Sequence, residues 1–140
     1  MKWYFASRTR HKKKLAKTTD FLESIGENVL SEWVNIKLFT SYEQNLSEVH
    51  KFSRRIVKSL LDTDVLVLIS DPGGTDMFIE LGVCLALKEF SNNNRLYIVG
   101  EYSKRSLMQL HPTIIHVNNL EGVFKAEGIN YEGFNVPQFI

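Results

Sequence analysis

The segment DVLVLIS, residues 64–70, decides the fold. An aspartate leads into five apolar residues and a serine, with no polar side chain on either face of the run. A strand apolar on both faces is covered on both faces, as an inner strand of a parallel sheet is by its crossover helices. It passes directly into DPGGTDMFIELG (71–82), a Pro-Gly-Gly turn followed by a helix expected to reach about Glu89. Upstream, WYFAS (3–7) reads as a buried strand running into a loop. Residues Lys12 to Ile25 keep Leu15, Leu22 and Ile25 at helical spacing, with Gly26 as a C-terminal stop. ENVLSEWV (27–34) reads as a second strand, and 35–44 is irregular. From near Ser47 a helix places Val49, Phe52, Ile56 and Leu60 on one stripe, with Lys51, Arg54, Arg55 and Lys58 largely outside it.

Downstream, SNNN (91–94) is a polar loop, RLYIVG (95–100) a buried strand, and Ser103 to Leu110 a short helix. TIIHV (113–117) is a fifth strand, 119–126 an amphipathic turn or helix, and the remainder an irregular tail. Alternation of strand and helix through five strands predicts an α/β fold with one parallel five-stranded sheet and helices on both faces. Right-handed crossovers favour the flavodoxin-like (Rossmann-like) order 2-1-3-4-5. Ligands of such sheets bind beyond the carboxyl ends of the strands, where the first and third strands part. That rule sets SRTRH (7–11) beside SDPGGTD (70–76).

A chain of 140 residues suits one domain, 1–140, with one site per subunit. Its composition, 44% apolar and 24% charged with a formal net charge of +1, is that of an ordinary globular protein. Such a balance gives no global field for nucleic acid or an acidic membrane. The apolar runs are too short to span a bilayer. The opening MKWYFASRTRHKKK carries its charges after a short apolar stretch, the reverse of a secretory signal, so a cytoplasmic protein is expected. A single cysteine, Cys84, excludes an internal disulfide and a cysteine-rich metal site, and its apolar helix predicts a packing role. His50, His111 and His116 have no metal-ligand spacing, and neither HExxH nor a GxSxG elbow occurs. The absence of GxGxxG and of the P-loop pattern removes the usual cofactor signals, and no cofactor or metal is expected.

The residue that asks for an explanation is Glu80. Thr75 is a plausible N-cap, and Asp76, in the first helical turn, is favoured by the positive end of the helix dipole. Glu80 lies beyond that turn and shares a face with Met77, Val83, Cys84 and Leu87. An unpaired carboxylate on such a face is costly or takes up a proton, so it is paired, at a pocket mouth or catalytic. Gly73 and Gly74 allow the backbone to approach a ligand closely, and the helix start offers free N–H groups. In the first loop Arg8, Arg10, His11 and Lys12 to Lys14 crowd the start of a helix, where cations oppose the dipole and repel one another. An anion would relieve both penalties, and Arg8 and Arg10, nearest the strand end, are the candidates to hold it. The lysines are expected to point into water.

YFAS closing the first strand, Asp64 opening the third and the glycine-rich turn into GTDMFIELG together resemble the nucleoside 2-deoxyribosyltransferase family. That family includes the related 2'-deoxynucleoside 5'-phosphate N-hydrolases. The layout agrees over nearly the whole chain, and the specific motif is the ELG segment with its preceding glycines. The resemblance implies a homodimer or larger homo-oligomer that cleaves the N-glycosidic bond of a nucleoside or nucleotide. Glu80 would be the nucleophile on the anomeric carbon, and the sugar would pass to another base or to water by the logic of a retaining glycosidase. Asp71 or Asp76 would contact the sugar hydroxyls or protonate the departing base, and the turn residues Gly73, Gly74 and Thr75 would line the sugar. In the phosphate-using branch, Ser7 with Arg10 or Arg8 would hold the 5'-phosphate. Two departures stand out: the family's further aspartate, about eight residues before the one opening the third strand, is Ile56 here, and the aspartate-to-glutamate spacing is longer. A non-catalytic sensor of nucleotide-derived ligands, or a flavodoxin-like interaction module, is the alternative of another class.

Overall fold

The computed structural model describes residues 1–90 and 93–139. Its five strands are β1 (Lys2–Ala6), β2 (Asn28–Val29), β3 (Val65–Ile69), β4 (Arg95–Val99) and β5 (Ile114–Val117), all parallel, in the order β2-β1-β3-β4-β5. Four α-helices, α1 (Lys12–Ser24), α2 (Leu46–Leu61), α3 (Asp76–Glu89) and α4 (Leu120–Ala126), connect and cover them. This is the flavodoxin-like order expected from the alternation. Ser91 and Asn92 of the expected polar loop lie outside the described residues.

Every side chain of β3 is fully buried, which is why its sequence shows no polar alternation. β1 alternates instead between two apolar environments. Trp3 packs against Phe124 of α4, whose ring meets Phe21 of α1, so α1 and α4 cover one face. Tyr4 points the other way, toward α2 and α3. Burial of aromatic residues on both sides of one strand anchors the two layers, each worth about 1.5–3 kcal/mol. Asp64, just before β3, accepts the Lys2 backbone N–H at 2.8 Å while its own N–H bonds Lys2 O at the same distance. The aspartate opening the third strand therefore aligns β1 with β3. Gly26, at φ +90°, ends α1 as expected.

Two expected elements are shorter in the structure. The strand read over 27–34 is only the two-residue β2, and Glu32–Val34 form a 3₁₀ turn. The cause is a handover of hydrogen bonds: Ser31 Oγ accepts from Phe5 N, and Trp33 Nε1 donates to Phe5 O. Those side chains satisfy the backbone of β1 where a longer edge strand would have done so. The helix read over 103–110 contracts to a 3₁₀ turn, Met108–Leu110. There Ser106 Oγ accepts from Gln109 N and the Gln109 amide donates to Tyr102 O, closing the loop through side chains. The irregular tail is nonetheless packed, with Ile129 and Val136 buried and Phe134 stacked on Phe21 at 4.2 Å. Among the described residues no helix is long and apolar enough to cross a membrane.

Candidate active site

The loops after β1 and β3 meet at the switch point, as the strand order requires. Asp71 is the centre of that meeting. Its side chain is only 1% exposed, and Arg10 grips it with Nε at 2.7 Å and a terminal nitrogen at 2.6 Å. Arg8 stands 3.5 Å away on the other oxygen, which also accepts the Gly73 N–H at 2.9 Å. Burial opposes ionisation of Asp71, but the Gly73 bond and the arginines outweigh it and hold the carboxyl below the usual range. Two guanidinium groups thus share one carboxylate, and each is about half exposed. The clustered cations of the first loop have an internal anion, which sequence reading did not foresee.

The neighbouring residues follow from this knot. His11 is buried, its Nε2 3.6 Å from Asp71 and its ring edge-on to Phe139. Burial, reinforced by Arg10, lowers its pKa and favours the neutral ring. Ser7 Oγ donates to Arg8 O. The turn has its glycines for a physical reason: a Cβ on Gly73 would lie 2.9 Å from Arg8, and Gly74 sits at φ +104° with Met77 against it. Thr75 occupies the N-cap position of α3 but its hydroxyl makes no capping bond, contrary to expectation. Lys12 and Lys14 do not point freely into water as expected. Their ammonium groups donate to Ile36 O and Gln138 O, tying the first loop to the segment after β2 and to the tail.

Glu80 lies elsewhere, on the α2 side of α3. It opens into a cleft of about 540 Å³ between α2, α3 and the segment after β2, and Asp76 stands on the same wall. Glu80 Oε2 is buried without a hydrogen-bond partner, and so is the Tyr4 hydroxyl from the strand beneath. Burial pushes the Glu80 pKa up to about 8; Tyr4 restrains the rise and the Asp76 charge adds to it. Among the described residues no lysine, arginine or histidine is paired with this carboxyl or lines the cleft. Asp71 lines a different cavity, about 420 Å³, on the opposite side of α3 with Phe78, Leu81 and Arg105. The structure therefore brings Asp76, Glu80 and the rim residue Thr9 to one cleft. It gathers Asp71, Arg8, Arg10, His11 and Gly73 into the adjoining knot.

Ile56 faces the same cleft from α2, beside Phe52 and Val57. Cys84 is fully buried with its thiol toward Leu60 O, and burial raises its pKa to about 12, as a packing cysteine requires. His111 pairs with Glu89 and His116 with Gln109 O, both structural contacts. Among the described residues no group of three His, Cys, Asp or Glu side chains is placed to hold a metal. Sequence reading missed Tyr4 and the wall formed by Leu38, Phe39 and Tyr42. For Tyr4 the available signal was a lone hydroxyl inside an otherwise apolar buried strand.

No family model matches the sequence, and no curated protein shows significant similarity to it. Solved structures do share its architecture. The 2-deoxyribosyltransferase of the psychrotolerant bacterium Bacillus psychrosaccharolyticus superposes with a TM-score of 0.59 at 15% identity, over 100% of both chains. The CMP N-glycosidase BcmB of Clostridium botulinum superposes with a TM-score of 0.55 at 16% identity, over 91% of this chain and 97% of that one. The class of protein defined here is thus a flavodoxin-like α/β domain with the fold of these two enzymes.

Proposed function

We propose that the protein cleaves the N-glycosidic bond of a nucleoside, nucleotide or related N-riboside, with Glu80 as the nucleophile. One observation carries the reading: a half-buried glutamate on an apolar helix face, its Oε2 shielded from solvent and with no cation paired to it among the described residues, opens into a cleft of about 540 Å³. Its fold likeness to a 2-deoxyribosyltransferase and a CMP N-glycosidase supports the same chemistry. In this mechanism a Glu80 oxygen attacks the anomeric carbon while the C–N bond breaks and its electron pair leaves with the base. Water, or a second base, then displaces Glu80 from the glycosyl ester and regenerates the carboxylate. Asp76, on the same wall, orients the sugar hydroxyls. Asp71 positions Arg8 and Arg10, whose exposed edges take an anionic group such as a 5'-phosphate. The exposed apolar side chains of Val57, Leu61 and Ile79 support assembly as a homo-oligomer.

The test is a panel of ribo- and deoxyribonucleosides and their 5'-monophosphates, with and without an acceptor base, assayed for free base. Turnover that survives Glu80→Ala unchanged would refute the nucleophile. Ile56, where the family resemblance calls for an aspartate, favours a second reading, a sensor that binds nucleotide ligands without cleaving them. Ligand binding dependent on Arg8 and Arg10, with no turnover of any panel member, would select that reading.

A further inference from the structure

The α2 wall that faces Glu80 across the cleft is poorly equipped to protonate a departing base. It contributes Val49, Phe52, Ser53, Ile56, Val57 and Leu60, whose sole polar group is an alcohol. The carboxyl groups of the lining are Asp76 and Glu80, both on α3, and no lysine, arginine or histidine lines it among the described residues. The outer wall is aromatic: the Phe39 ring lies 6.2 Å from both Phe52 and Tyr42. Arg55, stacked over Phe52 at 5.4 Å, is paired with Glu32 outside the lining.

Resting on the N-glycosidase reading, we infer that the substrates of this cleft are N-glycosides whose base already carries a positive charge, the class of pyridinium ribosides and ring-alkylated purine nucleosides. A neutral base leaves as an anion unless an acid protonates it, and such assistance is worth about 10²–10⁴ in rate. A cationic base needs none. It takes the C–N electron pair and departs neutral, while the Glu80 carboxylate forms the glycosyl ester. Water then hydrolyses the ester, returning the carboxylate, the free sugar and one proton to solvent. The same charge suits the walls. The Asp76 carboxylate attracts a cationic ring, aromatic faces hold it through cation–π contact, and its approach favours ionisation of Glu80, which then adds a second negative charge.

The experiment measures kcat/KM for nicotinamide riboside, nicotinamide mononucleotide and 7-methylguanosine against guanosine, cytidine and cytidine 5'-monophosphate. Each value is divided by the substrate's uncatalysed rate, so that intrinsic lability cancels, and E80Q is the control. The acceleration is expected to be at least about 100-fold greater for the cationic set, the scale of one missing general acid. Equal or greater acceleration of the neutral set overturns the inference while leaving the N-glycosidase reading intact. No acceleration over E80Q for any substrate removes both. Ile56→Asp, if folded by circular dichroism, should raise turnover of guanosine and cytidine at least about tenfold. A folded variant without that gain counts against the inference, and if it does not fold, the wild-type comparison decides alone.

Discussion

Asp76 and Glu80 stand one helical turn apart on α3 and share one wall of the cleft. Burial raises the Glu80 pKa to about 8, and the charge of Asp76 contributes to that rise. A carboxyl in this position is held protonated near neutrality until a ligand changes its surroundings.

On the proposed mechanism Glu80→Gln should lower N-glycosidic cleavage by at least about 1,000-fold, because the covalent step would lose its nucleophile. The same variant should alter stability with the opposite sign. In the wild type the folded pKa of about 8 lies above the ordinary 4.5, so the native state binds more protons between those values. Stability is then present in full below about pH 4.5 and falls as pH rises through 8. Glu80→Gln should flatten this decline in urea denaturation curves taken from pH 5 to 9.

Asp76→Asn should move the rising limb of kcat/KM for neutral substrates to lower pH, since one of the influences raising the Glu80 pKa is removed. A pH–rate profile checks the direction. An unchanged limb with a raised KM would assign Asp76 to sugar binding alone.

Tyr4→Phe acts the other way. The Tyr4 hydroxyl restrains the Glu80 pKa, so its loss should shift the limb to higher pH and reduce activity below pH 8. Thermal unfolding should change little, because the hydroxyl is buried without a partner of normal geometry.

Arg10→Ala should destabilise the fold by about 2–4 kcal/mol, since it strips the main partner from a carboxylate that is almost fully buried. The Asp71 pKa is depressed, so its contribution to stability is present above the ordinary 3.8 and lost as pH falls below it. The variant should therefore narrow its gap to wild type in acid, as read by denaturant midpoints at pH 3 and pH 7.

Gly74→Ala should cost about 1–2 kcal/mol, from a φ of +104° and from a Cβ placed 2.8 Å from the Met77 methyl group. Differential scanning calorimetry checks the loss. Gly82, with nothing within 4 Å of an added Cβ and no positive φ, should accept alanine.

Much of the architecture was legible because it follows from local patterns. A run such as DVLVLIS can be buried on both faces only inside a covered parallel sheet, and five strand–helix alternations leave few right-handed arrangements. The misread elements, 27–34 and 103–110, are those where side chains took over backbone hydrogen bonds. Ser31, Trp33 and Gln109 do so through partners distant in sequence or across a loop, which no periodicity records.

By itself the sequence determined the sheet order, the helix that carries Glu80 and the anomaly of a carboxylate on its apolar face, because these depend on spacing along one element. Only the tertiary structure separated the surroundings of Asp71 from those of Asp76. They are five residues apart, yet Asp71 turns into the arginine knot of the first loop while Asp76 joins Glu80 in the cleft. The physical reason is that a carboxylate's role is set by the charges brought to it from elsewhere in the fold. Arg8 and Arg10 reach Asp71 from more than sixty residues away, whereas among the described residues no lysine, arginine or histidine lines the cleft at Glu80.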